Sequence, residues 1–458
     1  MPRLQTMTVN AKDDQRIYTL KEEAPAKAVV KLGVPLIAGM FIMVLYNMVD
    51  TFFIGLLRDD YQLAAVSLAY PVMMITVAVS NMVGTGCSSL IARCIGAKDM
   101  EKAEHTLTGG FVLTAGFSVI VAALGLLFLS PIVKGLGAGE LTYLPALRYV
   151  RVILAGSFFT MGNYTFGQLL RSEGSVKYSI LGMIAGTAVN IILDPVFIFL
   201  LRMEITGAAI ATILGNMAGM MVSVWFYVRK KTLLAPSLKY LVPSGEILLE
   251  VFRVGVPASL ETLLTSAAYI VNNKLAAGYG ELTVAGMGIA QKIMTLGNYI
   301  YQGFAAGTQP IMGYSYGAGN RRRMLEVLKA GILVTLTSEL CVMAVYGFAA
   351  ERLVGIFTVT PQVIEIGAKV LRALMLVLPC VGAVSMSRMS FQAMGMPMYA
   401  FVITLVRQLF LYVPLLLLLN RWFGFSGMIY AQPLTELIMM TVSVSLLVHV
   451  IRSGERDN

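Results

Sequence analysis

Charged residues are scarce in this sequence, at 13% of its 458 residues, whereas 57% are hydrophobic and the mean hydropathy is +0.76. A soluble domain has about 25% charged residues because its surface faces water. The shortage excludes an ordinary soluble enzyme. Since about 20 apolar residues cross the hydrocarbon core of a bilayer, a chain of this length has room for about twelve spans joined by short connections.

Cysteine and histidine are also few. The four cysteines lie in or beside apolar stretches without CxxC spacing, and there are only two histidines. These counts predict no disulfide framework, no metal centre and no histidine-dependent catalysis. The polar segment 1–28 lacks the apolar core of a signal or transit peptide, so we expect the first span to direct membrane insertion.

Catalytic motifs are missing as well. The sequence contains no HxxxD, HExxH or DDxxD segment, which disfavours an integral-membrane enzyme that acts on lipids. It also contains no GxxxxGK[ST] loop, so ATP-driven transport would need a separate subunit. Transport by a secondary mechanism is the interpretation that these absences leave open.

Apolar runs between charged or Gly/Pro-rich breaks predict an all-α polytopic membrane protein. The twelve predicted spans are 31–57, 63–90, 105–130, 145–170, 177–201, 205–229, 250–278, 283–312, 325–350, 366–392, 398–420 and 425–451. An even number places both termini on one side, and the connections on that side hold most of the lysines and arginines. By the positive-inside rule we expect a multi-pass plasma-membrane protein with both termini in the cytoplasm. Because the basic residues are spread over many short loops, the net charge of +10 does not indicate nucleic-acid binding.

The chain repeats itself. Matching residues recur 221 or 222 positions apart: Gly96 and Gly317, Gly174 and Gly395, Tyr178 and Tyr399, and Gly33-Val34-Pro35 and Gly255-Val256-Pro257. Such an offset covers six spans, so it predicts two pseudo-symmetric six-helix lobes in the same orientation around a central cavity. The domain boundaries are then a tail at 1–30, lobes at 31–229 and 250–451, a cytoplasmic linker at 230–249 and a tail at 452–458.

Several motifs together resemble one transporter family. They are the Gly-Val-Pro segment that opens each lobe, Tyr46-Asn47-Met48-Val49-Asp50, Asn190-Ile191-Ile192-Leu193-Asp194-Pro195, the segment from Pro310 to Ala318, and Arg407-Gln408. This combination is similar to the multidrug and toxic compound extrusion (MATE) transporters, most of all the bacterial MepA-type and DinF-type members. The resemblance extends from about Val30 to Ile451. It implies ion-coupled export of drug-like compounds.

Polar residues of the first lobe point to an ion site. Asp50, Asp194 and Thr212 each lie seven residues from the outer end of a predicted span, and Asn190 lies one turn below Asp194. Hard oxygen ligands of this kind hold a sodium ion, or a proton on one carboxylate. The resemblance implies the same cation site, residue by residue. The alternative is structural: the two aspartates share a proton or bond to nearby hydroxyls and lock the bundle.

The second lobe allows fewer assignments. Glu261 is a candidate substrate contact or, equally, the partner of Lys292, and span ten offers no acid for a NorM-like sodium site. Arg407 and Glu436 lie near mid-depth, so we expect a structural pair, because an unpaired arginine there is costly. The further candidates for the substrate cavity are Tyr46, Gln168, Met287 and Tyr299.

The resulting hypothesis is a secondary antiporter that exports hydrophobic, cationic compounds in exchange for protons or sodium ions, without a cofactor. Rocking of the lobes would use Pro35 and Pro195 as hinges. The expected partners are organic cations and membrane lipids, and the expected state is a monomer. The alternative function, a flippase for lipid-linked glycan precursors, favours a strongly basic cavity, for which the chief intramembrane cations are Lys292, Arg388 and Arg407.

Overall fold

A computed structural model describes residues 11–55 and 60–453 of the chain. Within these ranges the side chains of some positions, including Tyr46 and Asp50, lie outside the description. The described secondary structure consists of helices and their connections, without a strand. This is the architecture that a bilayer imposes, because a helix satisfies its own backbone hydrogen bonds where no water is available.

Helical segments correspond to all twelve predicted spans. In the first lobe they are Pro25–Gly55, Asp60–Gly96, Met100–Leu127, Glu140–Ala155 with Ser157–Ser172, Val176–Pro195 with Val196–Leu200, and Glu204–Val228. In the second they are Gly245–Ala277, Glu281–Gly317, Arg321–Gly355, Pro361–Leu374 continued by Leu378–Ala393, Pro397–Leu405 continued by Val406–Tyr412, and Val413–Ser453. Short helices add Ala11–Lys21, Leu129–Gly135 and Leu238–Tyr240. Spans eleven and twelve meet inside Val413–Ser453, where Gly424 has non-helical angles (φ 57°, ψ −141°).

Hydropathy distinguishes these helices from one another. Eight described helices are long and apolar enough to cross a membrane, and the fourth span makes nine if its two halves, bent by 51°, count together. One of the eight is the continuous stretch Pro397–Ser453, which contains two spans. Spans seven and eight are helices of 33 and 37 residues. Their polar faces line the cavity described below.

Two boundaries differ from the predictions. The seventh span begins at Gly245 with Ser244 as its N-cap, so the linker ends before the predicted residue 249. The Ser244 side chain accepts a hydrogen bond from the Ile247 backbone N–H, and this cap starts the helix ahead of the apolar run. The segment predicted as a tail also contains the helix Ala11–Lys21, which is held by the Arg323 guanidinium through the carbonyl of Leu20 at 2.8 Å.

The repeated glycines form the contact between the lobes. A Cβ on Gly33 would lie 2.5 Å from the Phe304 ring, and one on Gly307 would lie 2.7 Å from the Gly33 nitrogen. In the other half of the pseudo-symmetric contact, a Cβ on Gly86 would overlap the Val251 carbonyl and one on Gly255 the Met82 carbonyl. The repeat therefore places the smallest residue where spans one and eight, and spans two and seven, cross most closely.

The lobes also meet at the C-terminal ends of spans two and eight. Here Gly96 packs on the Tyr314 carbonyl and Gly317 on the Arg93 carbonyl, so neither position has room for a Cβ. The Ser89 hydroxyl bonds to the Gln392 carbonyl just above this contact. The face of the bundle that carries these ends, called the terminal face, is therefore closed between the lobes.

We expect Gly317→Ala to loosen the terminal face, because the added methyl group overlaps the Arg93 carbonyl and overpacking costs about 1–3 kcal/mol. Spin labels at Lys98 and Arg322, one in each lobe, should report a longer and broader distance distribution in double electron–electron resonance. The exposed Cys341 would first be replaced by serine.

Gly116→Ala is the matched control, because a Cβ at this exposed helical glycine meets nothing within 4 Å. It should leave the label distance unchanged. Identical distributions for Gly317→Ala and Gly116→Ala would contradict the assignment of Gly317 to the lobe contact.

Candidate ion site and central cavity

Two residues of the fifth span form the centre of the candidate ion site. Asn190 and Asp194 are one helical turn apart and face the same way, and they are 2% and 0% exposed. In the amide orientation that satisfies both of its groups, Asn190 donates to Asp194 Oδ2 at 3.1 Å and accepts from the Thr212 backbone N–H at 3.0 Å. The structure thus brings Asn190, Asp194 and Thr212 together from spans five and six.

Backbone geometry allows this approach. A Cβ on Gly215 would lie 2.8 Å from the Asn190 Cβ, so a larger residue in the sixth span would push the two spans apart. Immediately after Asp194, the α-helix ends at Pro195 and continues as the π-helical turn Val196–Leu200. Proline removes a backbone donor and π turns are frequent at functional sites, so the local backbone is irregular next to the carboxylate.

Two asparagines extend the site and were not predicted. Asn216 donates to the Thr212 carbonyl at 3.0 Å, and Asn163 of the fourth span donates to Asn216 Oδ1 at 2.9 Å. Asn216 could have been predicted from the sequence, because it lies one helical turn after Thr212 and therefore on the same face. Asn163 offered no such signal because its contact crosses between spans.

The remaining members of the predicted ion set fall in the first span. The side chains of Asp50 and Tyr46 lie outside the described residues, so their roles stay predictions. The predicted hinge Pro35 lies within the helix Pro25–Gly55. What is described is a buried carboxylate surrounded by amide and backbone groups, and such a site can take up a proton or a hard cation.

A cavity of about 490 Å³ lies between the lobes. Its wall is contributed by both lobes and is largely polar, and it contains the two predicted cavity residues Gln168 and Glu261. Gln168 Nε2 donates to Asn81 Oδ1 at 2.9 Å, and the Thr85 hydroxyl donates to Gln168 Oε1 at 3.2 Å. A Cβ on Gly84 would lie 2.8 Å from the Gln168 amide, which shows how closely the second span holds this side chain.

Glu261 pairs across the second lobe with a residue that was not predicted as its partner. Its Oε2 accepts from Arg388 Nη1 at 2.6 Å and from Gln392 Nε2 at 3.1 Å, both in span ten. The alternative pairing of Glu261 with Lys292 is wrong, since the Lys292 side chain is exposed. Glu261 is buried and Arg388 is partly exposed, so the guanidinium offsets the cost of burying the carboxylate charge.

Arg407 and Glu436, predicted as a structural pair, lie next to each other in the second lobe. Arg407 Nη1 lies 3.2 Å from Glu436 Oε1, and Glu436 is 3% exposed. Arg407 belongs to a π-helical stretch, Val406–Tyr412, and also lines the central cavity. The pair therefore joins spans eleven and twelve at the cavity wall.

Two predicted cavity residues lie elsewhere. Met287 is 4% exposed and belongs to the hydrophobic core of the second lobe, packed with Ile293, Tyr346 and Leu371. Tyr299 is partly buried and is also not among the residues that line this cavity. Methionine and tyrosine in an apolar helix suit a core as well as a cavity, and sequence spacing did not distinguish the two positions.

Two further buried acids were not singled out from the sequence. Glu339, in the middle of the ninth span, is fully buried. Glu173 is fully buried between spans four and five, and its Oε2 accepts from the Leu234 backbone N–H of the linker at 3.0 Å. Burial raises the pKa of Glu173 to about 7, against the smaller opposing effect of the hydrogen bond from the Leu234 backbone N–H.

This raised pKa predicts that the linker is held more weakly at high pH. An acid whose folded-state pKa exceeds its unfolded value favours folding most below the unfolded value of 4.5, and this advantage is lost as the pH rises towards about 7. The loss is on the order of 3 kcal/mol, since one pKa unit corresponds to about 1.4 kcal/mol. Hydrogen exchange at the Leu234 amide, corrected for intrinsic rate, should therefore be less protected at pH 8 than at pH 5.

Glu173→Gln should abolish this pH dependence, because an amide accepts the same hydrogen bond without ionising. Glu101→Gln, in an exposed pair with Lys239 near the linker, is the control and should retain it. An unchanged pH dependence in Glu173→Gln would assign the effect to another group.

The fold and the site together define the class of protein. Two six-span lobes in the same orientation, with a polar cavity between them and a buried carboxylate in one lobe, are the arrangement of a secondary transporter built from parallel repeats. The MatE family matches residues 35–196 and 257–418, two segments that are themselves 222 positions apart. The chain belongs to the MatE family and is a secondary transporter rather than an enzyme.

Relatives and solved structures agree with this assignment. The multidrug export protein MepA of Staphylococcus aureus (strain MRSA252) is 28% identical over 444 residues, which cover 96% of this chain and 97% of that protein. The outward-facing structure of a multidrug resistance MATE family transporter superposes with a TM-score of 0.92 at 29% identity, covering 96% of this chain and 99% of the other. A transporter of the MOP superfamily from Pyrococcus furiosus Vc1, described as having a binding pocket of reverse polarity, superposes with a TM-score of 0.90 at 30% identity, covering 96% and 98%.

Proposed function

We propose that the protein is an ion-coupled antiporter that exports hydrophobic drug-like compounds from the cell. The observation that carries this proposal is the buried site at Asn190, Asp194 and Thr212, which lies in one lobe and apart from the central cavity. Two separate sites are what an antiporter needs, because the driving ion and the exported compound favour different states of the lobes.

Coupling follows from the charge on Asp194. When the carboxylate takes up a proton or a sodium ion, the buried negative charge is neutralised and the fifth span can repack around its irregular turn at Pro195. The same change favours separation of the glycine contacts on the terminal face, which are closed in this structure. An ion that bound equally well to the open and closed arrangements of the lobes would not shift the equilibrium between them, and so could not drive transport.

Orientation and partners belong to the same proposal. We propose that the terminal face, with both termini, lies in the cytoplasm of a plasma-membrane protein, because lysine and arginine are concentrated in the connections on that side. We propose a monomer that exchanges its substrate with the lipid and the outer medium. The coupling ion is H⁺ or Na⁺, since an oxygen site of this size suits either. The expected preference for cationic compounds stays a prediction, and the charge of the cavity, considered below, favours the opposite sign.

The proposal is tested in liposomes. Purified protein is reconstituted, and a proton gradient and a sodium gradient are imposed separately. Ethidium, a cation, and pyrenebutyrate, an anion, serve as fluorescent probes. We expect movement of at least one probe under one gradient, and loss of that movement when an ionophore dissipates the gradient. Movement of neither probe under either gradient would overturn the proposal.

A flippase for lipid-linked glycan precursors remains the second candidate, and one observation favours it. The cavity wall includes three arginines, Arg171, Arg388 and Arg407. Its volume of about 490 Å³ suits a drug-sized molecule, because pockets for such ligands measure about 300–1,000 Å³. We therefore retain the exporter as the conclusion.

A further inference from the structure

The described wall of the central cavity has more positive than negative charge. Arg171, Arg388 and Arg407 line it, and Glu261 is the one carboxylate among the described residues that do. Glu261 is bound to Arg388, and Arg407 is bound to Glu436 behind the wall. Three guanidinium groups against these two carboxylates leave one positive charge, which belongs to Arg171.

Arg171 is placed to bind a ligand. It lies in the last turn of the helix Ser157–Ser172, and its Nη1 donates to the Ser179 hydroxyl at 2.9 Å. No ion pair joins it to a carboxylate within the described part of the chain. Glu173, the acid nearest to it in sequence, bonds to the linker at Leu234 instead. A guanidinium has five N–H donors, so most of those on Arg171 remain available.

A second group in the same wall lacks a partner. Ser88 is 6% exposed and lines the cavity, and its hydroxyl makes no hydrogen bond within the described structure. A buried hydroxyl without a partner costs about 1–3 kcal/mol, so rotation of the Ser88 side chain towards a ligand that supplies a partner is favourable. Thr85 and Gln168 add polar groups to this wall, and Met40, Pro310 and Met389 add apolar surface.

We propose that the transported compound is an amphiphilic anion, whose carboxylate or phosphate group binds Arg171 with the help of Ser88. The inference rests on the proposed function and names the substrate class of its cavity. The planar fork of arginine matches carboxylate and phosphate oxygens, and charge-assisted bonds of this kind are the strong ones. A cation in the same place would meet the unpaired Arg171, while Glu261 is already bound by Arg388 and Gln392.

Equilibrium binding tests the charge preference. The protein is placed in nanodiscs of neutral phosphatidylcholine, and three probes with one pyrene scaffold are titrated: pyrenebutyrate, its methyl ester and pyrenebutylamine. We expect pyrenebutyrate to bind at least about tenfold more tightly than the other two, which corresponds to about 1.4 kcal/mol. Equal or tighter binding of the amine would overturn the proposal.

Variants assign the preference to Arg171. Arg171→Gln should reduce the preference for pyrenebutyrate to near unity, and Arg171→Lys should retain part of it because the charge remains. Arg148→Gln removes an exposed arginine of the fourth span that does not line the cavity, and should behave as the unchanged protein. Full preference in a folded Arg171→Gln would overturn the assignment.

Because Arg171 also bonds to Ser179, its replacement can affect folding, and a second variant covers this case. Ser88→Ala removes only the unpartnered hydroxyl, so it should leave the thermal stability unchanged or higher and weaken pyrenebutyrate binding several-fold. Unchanged affinity in Ser88→Ala together with a misfolded Arg171→Gln would count against the proposal.

Two further measurements distinguish a lipid ligand from a small amphiphile, and a failure of this inference from a failure of the proposed function. Pyrene-labelled phosphatidic acid presents the same anionic chemistry on a lipid, and its binding without binding of pyrenebutyrate would overturn the small-amphiphile assignment. Binding is measured without a gradient, so it is scored separately from transport. Anion binding without gradient-driven export would refute only the proposed function, whereas gradient-driven export of ethidium without anion binding would refute only this inference.

Discussion

Asp194→Asn is expected to abolish ion-driven export while the protein still inserts and folds. Asparagine has nearly the same shape and keeps a carbonyl oxygen towards Asn190, so the contact between spans five and six survives. It can neither lose a proton nor neutralise a sodium ion, so the site no longer responds to the gradient. We expect probe efflux from liposomes to fall to the rate without a gradient, and size-exclusion chromatography to show an unaltered protein.

The same result is expected for Asp50→Asn, on the strength of the sequence alone. Glu351→Gln is the control, since this acid is exposed and pairs with Arg372 at the protein surface, where such pairs contribute about 0–1 kcal/mol. Its efflux should equal that of the unchanged protein. Full gradient-driven efflux by purified Asp194→Asn would remove this residue from the coupling mechanism and favour the purely structural alternative.

Breaking the Arg407–Glu436 pair is expected to cause the largest loss of stability. Arg407→Gln leaves the Glu436 carboxylate buried without its partner, which costs about 3–5 kcal/mol, and Glu436→Gln leaves Arg407 unpaired at the cavity wall. The double variant leaves two neutral amides that can bond to each other. We therefore expect its melting temperature in detergent to lie well above that of both single variants.

A double-mutant cycle on the exposed pair Arg372 and Glu351, made with the same changes to glutamine, is the matched control. Its coupling free energy should not exceed about 1 kcal/mol. Additive losses in the Arg407 and Glu436 cycle would show that the two side chains act independently, whatever their distance. Because Arg407 also lines the cavity, stability and not transport is the quantity to compare.

Much of the fold could be predicted because a bilayer restricts the choices. Apolar length determines a span, and only helices satisfy their backbone groups in lipid. The offset between Gly33-Val34-Pro35 and Gly255-Val256-Pro257 is sufficient to indicate two lobes without information on contacts between helices. The spacing of Asn190 and Asp194 placed them on one face of one helix, so their contact was also predictable.

Contacts between spans were less predictable. Glu261 is bound by Arg388 and not by Lys292, although all three lie in predicted spans. Arg407 and Glu436 were found because both are charged at mid-depth, where few partners compete. The position of Met287 in the core was not predictable, because the sequence of an apolar helix does not show which apolar residues face the core and which face a cavity.

The sequence by itself determined the helices, their number, the repeat and the residues predicted for the ion site, because these depend on composition and on spacing along one helix. Only the tertiary structure decided which charges are neutralised by a neighbour. The rotation of each span about its axis and the angle between spans place Arg388 against Glu261 and leave Arg171 facing the cavity without an acid. The sign of the charge offered to a substrate depends on these pairings, so it emerges only when the lobes are assembled.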